Sequence, residues 1–221
     1  MRAIALFSGG KDSTYSIYLA MQQGFEIEKL VTIFPKRDDS YMYHVPMIER
    51  TRIQSEAMGI PQDIYRIGDS IEELHSVLSN YDVDAVVSGA IASNYQKTRI
   101  EEVCTDLGLL SFAPLWGKNQ EILLRDMIEA GLKIMVIGVY AYGLEKKHLG
   151  RVIDESFINE LKDLEKKYRI NLAGEGGEYE SFVLDAPHFQ RKIVVDDAEK
   201  FWDGLRGELR IKRLHLEDRE K

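Results

Sequence analysis

Ala3-Ile4-Ala5-Leu6-Phe7-Ser8-Gly9-Gly10-Lys11-Asp12-Ser13 is the stretch on which the reading of this chain turns. An apolar run with the length of a buried strand breaks at adjacent glycines and passes into a helical pattern. A strand-to-helix turn of this kind is where a doubly wound sheet presents its ligand crevice. Gly9 and Gly10 can adopt backbone angles closed to other residues and let main-chain amides approach phosphate oxygens, while the helix behind adds the positive end of its dipole. Ser8 and Ser13 supply hydroxyls, and Lys11 a mobile cation. Asp12 makes sense beside phosphate only with a Mg²⁺ between them, so it is assigned to metal. A plain glycine turn with exposed polar residues is the alternative, and the strand-to-helix context disfavours it. The spacing also excludes a Walker loop, whose glycines bracket four residues, and with it the kinase and GTPase readings.

Outward from this loop, short β-rich runs alternate with helical patterns, the layout of parallel strands joined by crossover helices. Strands are expected at Ala3 to Phe7, Leu30 to Phe34, Asp63 to Ile67, Ala85 to Ser88 and Leu110 to Phe112. Pro46 suits the first position of a helix over Met47 to Met58 that ends at Gly59, and Ser70 with Glu73 and Ser93 with Gln96 read as capping boxes. Ile100, Val103, Cys104 and Leu107 form a buried stripe, which puts Cys104 in the core. From Trp116 the rhythm changes: a helix over Gln120 to Ala130, an apolar run at Ile134 to Val139, a helix near Asp154 to Tyr168, then strands at Ser181 to Leu184, Lys192 to Val195 and Leu209 to Leu216. The expected fold is α/β, a doubly wound, Rossmann-like parallel sheet over residues 1–116, with a smaller C-terminal α+β domain over 117–221.

With 221 residues, 44% of them hydrophobic, the chain can bury a sizeable core. A formal net charge of -8 makes the surface as a whole repel nucleic acid and anionic membranes. Cys104 is the single cysteine, and the amino terminus lacks the layout of a signal peptide, so a cytoplasmic protein is expected. No apolar run approaches the ~20 residues of a membrane span. The histidines show no metal-ligand spacing and are read as ordinary.

Two further segments bear on chemistry. Gly89, after the fourth strand, can let a nucleotide approach the backbone, and Arg99, about one turn into the next helix, reads equally as a phosphate ligand or a solvent-facing residue. The end of the second strand, near Ile33, is the positional expectation for adenine. Glu175-Gly176-Gly177-Glu178-Tyr179-Glu180 is the less expected feature. If extended, it sends Glu178 and Glu180 to one face, an acidic pair suited to a cation, a metal or ammonia. Tyr179 and Trp116 can add aromatic faces that attract quaternary ammonium groups. A solvated acidic hairpin is the alternative.

The first loop resembles the PP-loop of the adenine-nucleotide α-hydrolase superfamily, whose members adenylate a carbonyl acid or amide and release pyrophosphate. Taken with Gly89-Ala90-Ile91, Tyr95-Gln96, Arg99, Pro114-Leu115-Trp116 and Glu175 to Glu180, in that order over nearly the whole chain, the sequence resembles the diphthine-ammonia ligases, in particular the short archaeal-type members. The resemblance implies ATP with Mg²⁺, ammonium as nitrogen donor, elongation factor 2 carrying diphthine as partner, and a homodimer. It implies an acyl-adenylate step, with Lys11, Asp12 and Glu178 in the chemistry, Ser8 to Ser13, Ile33, Gly89 and Arg99 on the nucleotide, and Tyr95, Gln96, Trp116 and Glu175 to Glu180 on the substrate. Rivals are another PP-loop adenylating ligase, a tRNA-modifying enzyme, and a non-catalytic nucleotide-binding module. Sulfur transfer fits poorly with one core cysteine.

Overall fold

The computed structural model describes residues 1–35, 47–68 and 70–219, so Pro46 and His44 lie outside the described residues. The first half alternates as its apolar runs require: β1 (Arg2–Leu6), α1 (Lys11–Gln22), β2 (Glu26–Pro35), α2 (Met47–Met58), β3 (Gln62–Ile67), α3 (Ile71–Leu78), β4 (Ala85–Val87), α4 (Asn94–Leu107) and β5 (Leu110–Phe112). These strands are parallel and stand in the order β3-β2-β1-β4-β5. The chain winds outward from β1 to β3 and then crosses to the other side of β1. The reversal therefore falls between β1 and β4, where the loop at Ser8 leaves the sheet.

Alternation along β1 shows why its residues are apolar throughout. Ala3 and Ala5 pack into one core with Tyr15, Ile17 and Ala20 of α1, while Ile4 packs into another with Leu74 and Leu78 of α3 and Val103 and Cys104 of α4. With both sheet faces covered, neither set of side chains can be polar. Cys104 sits in the stripe its spacing predicts.

The second unit holds α5 (Gln120–Glu129), β6 (Lys133–Val139), α6 (Glu155–Tyr168), β7 (Tyr179–Asp185), β8 (Arg191–Trp202) and β9 (Gly207–Asp218), with an antiparallel sheet ordered β7-β6-β9-β8. It is the expected α+β arrangement. Its apolar interior is continuous with that of the first sheet, since Ile134, Phe157 and Phe182 belong to the same cluster as Ala5 and Tyr15. The last strands run longer than their apolar runs indicate. β8 continues through Asp196, Asp197, Glu199 and Lys200 because β9 supplies its backbone hydrogen bonds whatever the side chains, and Asp203 closes the turn by accepting from the amides of Leu205 and Arg206. This ribbon clasps α2, with Gln190 N–H donating to the Ala57 carbonyl at 2.7 Å and Arg191 paired with Glu56 at 2.8 Å. Among the described residues no helix is long and apolar enough to cross a membrane.

Candidate active site

Where β1, β2, β3 and β4 end, a cleft of about 450 Å³ opens above the sheet. Its walls are apolar, with Ile33 of β2 among them, and its floor is polar, formed by Ser8, Asp12 and Ser13. Its size and character suit a nucleotide-sized ligand. Gly10, at the N-cap of α1, has no side chain with which to cap the first-turn amides, and of these Lys11 N is taken by Ser181 Oγ at 3.1 Å.

The adjacent glycines do different work. Gly9 has φ +82°, and a Cβ there would run into the Gln54 side-chain oxygen. Gly10 has an ordinary φ of -78°, and the nearest atom to an added Cβ lies at 3.6 Å. The special backbone angle expected of both is thus confined to Gly9. Ser13 Oγ is held within the loop, donating to the Gly10 carbonyl at 3.1 Å and lying 3.2 Å from Ser8 Oγ.

Lys11 departs from its expected role as a mobile cation. It is 3% exposed, its ammonium donates to Asp12 Oδ2 at 2.8 Å and to the Ala173 carbonyl, and it lies over the Tyr179 ring at 5.5 Å. In this state it braces the loop against the second unit. Asp12 keeps Oδ1 buried and without a hydrogen-bond partner among the described residues. Burial pushes its carboxyl up and Lys11 pulls the other way. Glu175 reaches into the same cleft from the second unit, its carboxyl raised by burial and by the negative charge of Asp12. A partnerless buried carboxylate oxygen beside a second carboxylate is a donor set that a hard divalent cation, sharing its remaining positions with phosphates and water, would satisfy.

Gly89 lines the cleft, but its lack of a side chain serves α1: a Cβ there would lie 2.7 Å from Ser13 N and 2.9 Å from the Asp12 carbonyl carbon. Tyr95 and Arg99 form one rim, with the guanidinium donating to the Tyr95 hydroxyl. The Gln96 side chain lies outside the described residues. Trp116 does not line the cleft; its ring carries the Lys97 ammonium at 4.5 Å.

The glutamate segment does not form the paired acidic face expected of it. Glu178 Oε1 accepts from Asn171 N and Nδ2 at 2.8 and 2.7 Å, and Oε2 accepts from Gly176 N at 2.8 Å. Its carboxylate closes the loop from Asn171 to Glu178, and Gly176 is bare because a Cβ would strike it at 2.7 Å. Gly177 turns that loop with φ +79°. Tyr179, 5% exposed, donates its hydroxyl to the Leu172 carbonyl at 2.8 Å and meets Lys11 with its ring. Glu180 points elsewhere, toward Arg50 and Tyr140. Glu178 is therefore a cap and Tyr179 a brace in this arrangement.

Sequence reasoning passed over Arg50, Gln54 and Ser181. Gln54 is fully buried and its amide donates to the Gly9 carbonyl at 2.8 Å and the Val183 carbonyl at 3.0 Å, stitching α2, the loop and β7 together. Ser181 Oγ accepts from Lys11 N at 3.1 Å. Arg50 and Gln54 are one helical turn apart on the buried side of α2, a signal that was present but indistinguishable from an ordinary amphipathic helix.

Residues 1–111 match the family model described as the diphthamide synthase N-terminal domain, and residues 119–216 the one described as its C-terminal domain. The chain belongs to the diphthamide synthase family. A Mus musculus protein named diphthine--ammonia ligase is 38% identical, over 99% of this chain and 94% of its own length. The Homo sapiens protein of that name is likewise 38% identical, with the same coverage. A Schizosaccharomyces pombe protein of that name is 38% identical over 90% of this chain, which spans 37% of it. The diphthamide synthase match runs through both units, so the loop, the cleft and the glutamate segment all fall inside it.

Proposed function

We propose that this protein is an ATP-dependent, AMP-forming ligase that converts the carboxylate of diphthine on elongation factor 2 into an amide with ammonium as nitrogen donor. The observation that carries this reading is the phosphate loop itself, with an uncapped helix end and a partnerless Asp12 oxygen at the floor of a nucleotide-sized cleft in a diphthamide synthase family chain.

A carboxylate is a poor acceptor for ammonia, so the reaction first exchanges its poor leaving group. The acceptor oxygen attacks the α-phosphorus of ATP, the bond to the β-phosphate oxygen breaks, and pyrophosphate leaves with its electron pair. Ammonia, formed when ammonium gives up a proton, then attacks the acyl carbon. AMP departs, a further proton is lost, and the amide remains. The amino-terminal end of α1 and the Ser8 hydroxyl meet the charge that builds on the phosphates, which is the main demand of such transfers. Tyr95 and Arg99 close one rim over the nucleotide, and Ile33 lies against its base. Asp12 and Glu175 would hold Mg²⁺, which when bound would neutralise charge along the phosphates.

A homodimeric, cytoplasmic enzyme without a nucleic-acid substrate completes the reading. Sulfur transfer to tRNA is disfavoured because burial pushes the Cys104 thiol up to about 11, leaving almost no thiolate at neutral pH. The experiment is incubation of the purified protein with Mg-ATP, ammonium and diphthine-bearing elongation factor 2, following nucleotides and peptide mass. AMP and pyrophosphate forming with carboxylate-to-amide conversion, only when all three substrates are present, is the expected result. AMP without conversion points to another acid, and no AMP under any condition leaves a nucleotide-binding module.

A further inference from the structure

Behind the phosphate loop lies a second cavity, about 260 Å³, between that loop, α2 and β7. It meets the nucleotide cleft at Ser8 and Asp12, which line both. Charges of both signs stand in its wall: Lys11, Asp12, Arg50 and Glu180. Lys11 is committed to Asp12 and the Ala173 carbonyl. Arg50 comes from a different element, is only 7% exposed, and interacts electrostatically with Glu180. Glu180 remains open to solvent, crowded enough that its surroundings, with Glu208 nearby, push its carboxyl up against the pull of Arg50.

A guanidinium kept this far from water is costly unless its charge is matched, and its planar fork suits a carboxylate better than any other anion available to a protein substrate. An anionic acceptor must also come within bonding distance of an anionic α-phosphate. That approach requires a cation on the acceptor's own side of the loop. The helix that carries Arg50 is fixed in place for it, because Gln54 one turn later is anchored to the Gly9 and Val183 carbonyls.

We propose that this cavity takes a zwitterionic acceptor head group, with Arg50 gripping its carboxylate and Glu180 receiving its quaternary ammonium. The inference rests on the ligase reading above and names the residue that selects its acceptor. The acceptor exchanges partners with the resident pair: Arg50 turns from Glu180 to the incoming carboxylate, and Glu180 from Arg50 to the incoming ammonium, so the cavity stays close to charge-balanced. Amidation then removes the negative charge that Arg50 holds, and the product loosens.

The test compares binding of two forms of elongation factor 2 to the full chain, one with diphthine and one with the finished amide, which differ only in the group Arg50 is assigned. The wild-type protein is expected to prefer the carboxylate form. Arg50→Gln should weaken that form by ~30-fold or more and the amide form little, erasing the preference, with KM for ATP unchanged. Arg50→Lys should keep part of the preference and serves as the informative variant if Arg50→Gln does not fold. Glu180→Gln should weaken both forms alike, since both carry the ammonium. Retention of the wild-type preference in a folded Arg50→Gln or Arg50→Lys protein overturns the proposal, as does equal loss of both forms together with ATP affinity. A wild-type protein that makes no amide sinks the ligase reading itself, whereas normal amidation with an indifferent Arg50 variant sinks only this inference.

Discussion

The two sides of the phosphate loop are built on different principles. The nucleotide side is made almost wholly by the first unit, from strand ends with apolar walls and a helix terminus left uncapped. The opposite side exists only because β7 and the loop at Ala173 dock against α1 and α2, and there the chain supplies partners to its own polar groups: Lys11 to Asp12 and Ala173, the Gln54 amide nitrogen to Gly9 and Val183, Glu178 to Asn171 and Gly176. The front offers groups without partners, and the back a cavity whose charged groups are already matched within the chain, so a ligand there must exchange partners with them. The contrast shows that a conformationally demanding loop needs a braced back in order to offer a free front. Ser8 and Asp12 line both sides, and Asp12 has one oxygen spent on Lys11 and the other unspent.

The sharpest way to break this contrast is at the shared residue. Asp12→Asn should lower AMP formation by on the order of 10³-fold in a protein that still folds, read by product chromatography beside circular dichroism. Activity that survives this change would remove Asp12 from the phosphate chemistry. The adjacent glycines come next. Gly9→Ala forces a left-handed angle on alanine and drives its Cβ into Gln54, and should cost about 1–3 kcal/mol in denaturant unfolding along with most of the activity. Gly10→Ala, with ordinary angles and room at 3.6 Å, should stay within about 0.5 kcal/mol. If the two substitutions cost the same, the brace behind Gly9 is not what shapes the loop.

A smaller effect separates a cap from a catalyst. Glu178→Gln places an amide donor against backbone donors and should loosen the loop from Asn171 to Glu178 by about 1–3 kcal/mol. KM for the protein substrate should rise with the pH profile of kcat unmoved; a lost pH limb would return Glu178 to the chemistry. The smallest effect lies far from both cavities. His188 is held neutral by burial and by Arg219, with its pKa lowered to about 4, and neither ring nitrogen has a partner among the described residues. The unfolded chain takes up a proton near pH 6.5 that the folded chain refuses until about pH 4, so stability should fall as pH drops through that window. His188→Phe should flatten the slope of melting temperature against pH between those limits.

The strands of the first sheet were legible because each is buried on both faces, so a run such as Ala85 to Val87 has no reason to be anything but apolar. β8 was half legible, since its outer residues are polar and face solvent, and only the hairpin pairing with the adjacent β9 carries the strand through them. Among site residues, Ser8 to Ser13 could be read because the chemistry of a phosphate loop is local, set by backbone angles and a following helix. The contacts that Glu178, Tyr179 and Gly89 make to Asn171, Lys11 and Ser13 were not legible, because local alternation says nothing about such partners.

The sequence by itself determined the doubly wound sheet, the place of its ligand crevice and the family to which the chain belongs. The sheet and its crevice follow from periodicity and from a loop whose physics is contained within a few residues, and the family from the resemblance of motifs spread along the chain. Only the tertiary structure decided how the two faces of the loop differ, which carboxylate meets Asp12, and that Arg50 stands buried in the wall of a charged cavity. Each of these depends on segments more than a hundred residues apart meeting across a shared core, and burial, which sets the strength of every charge in the site, exists only after they have met.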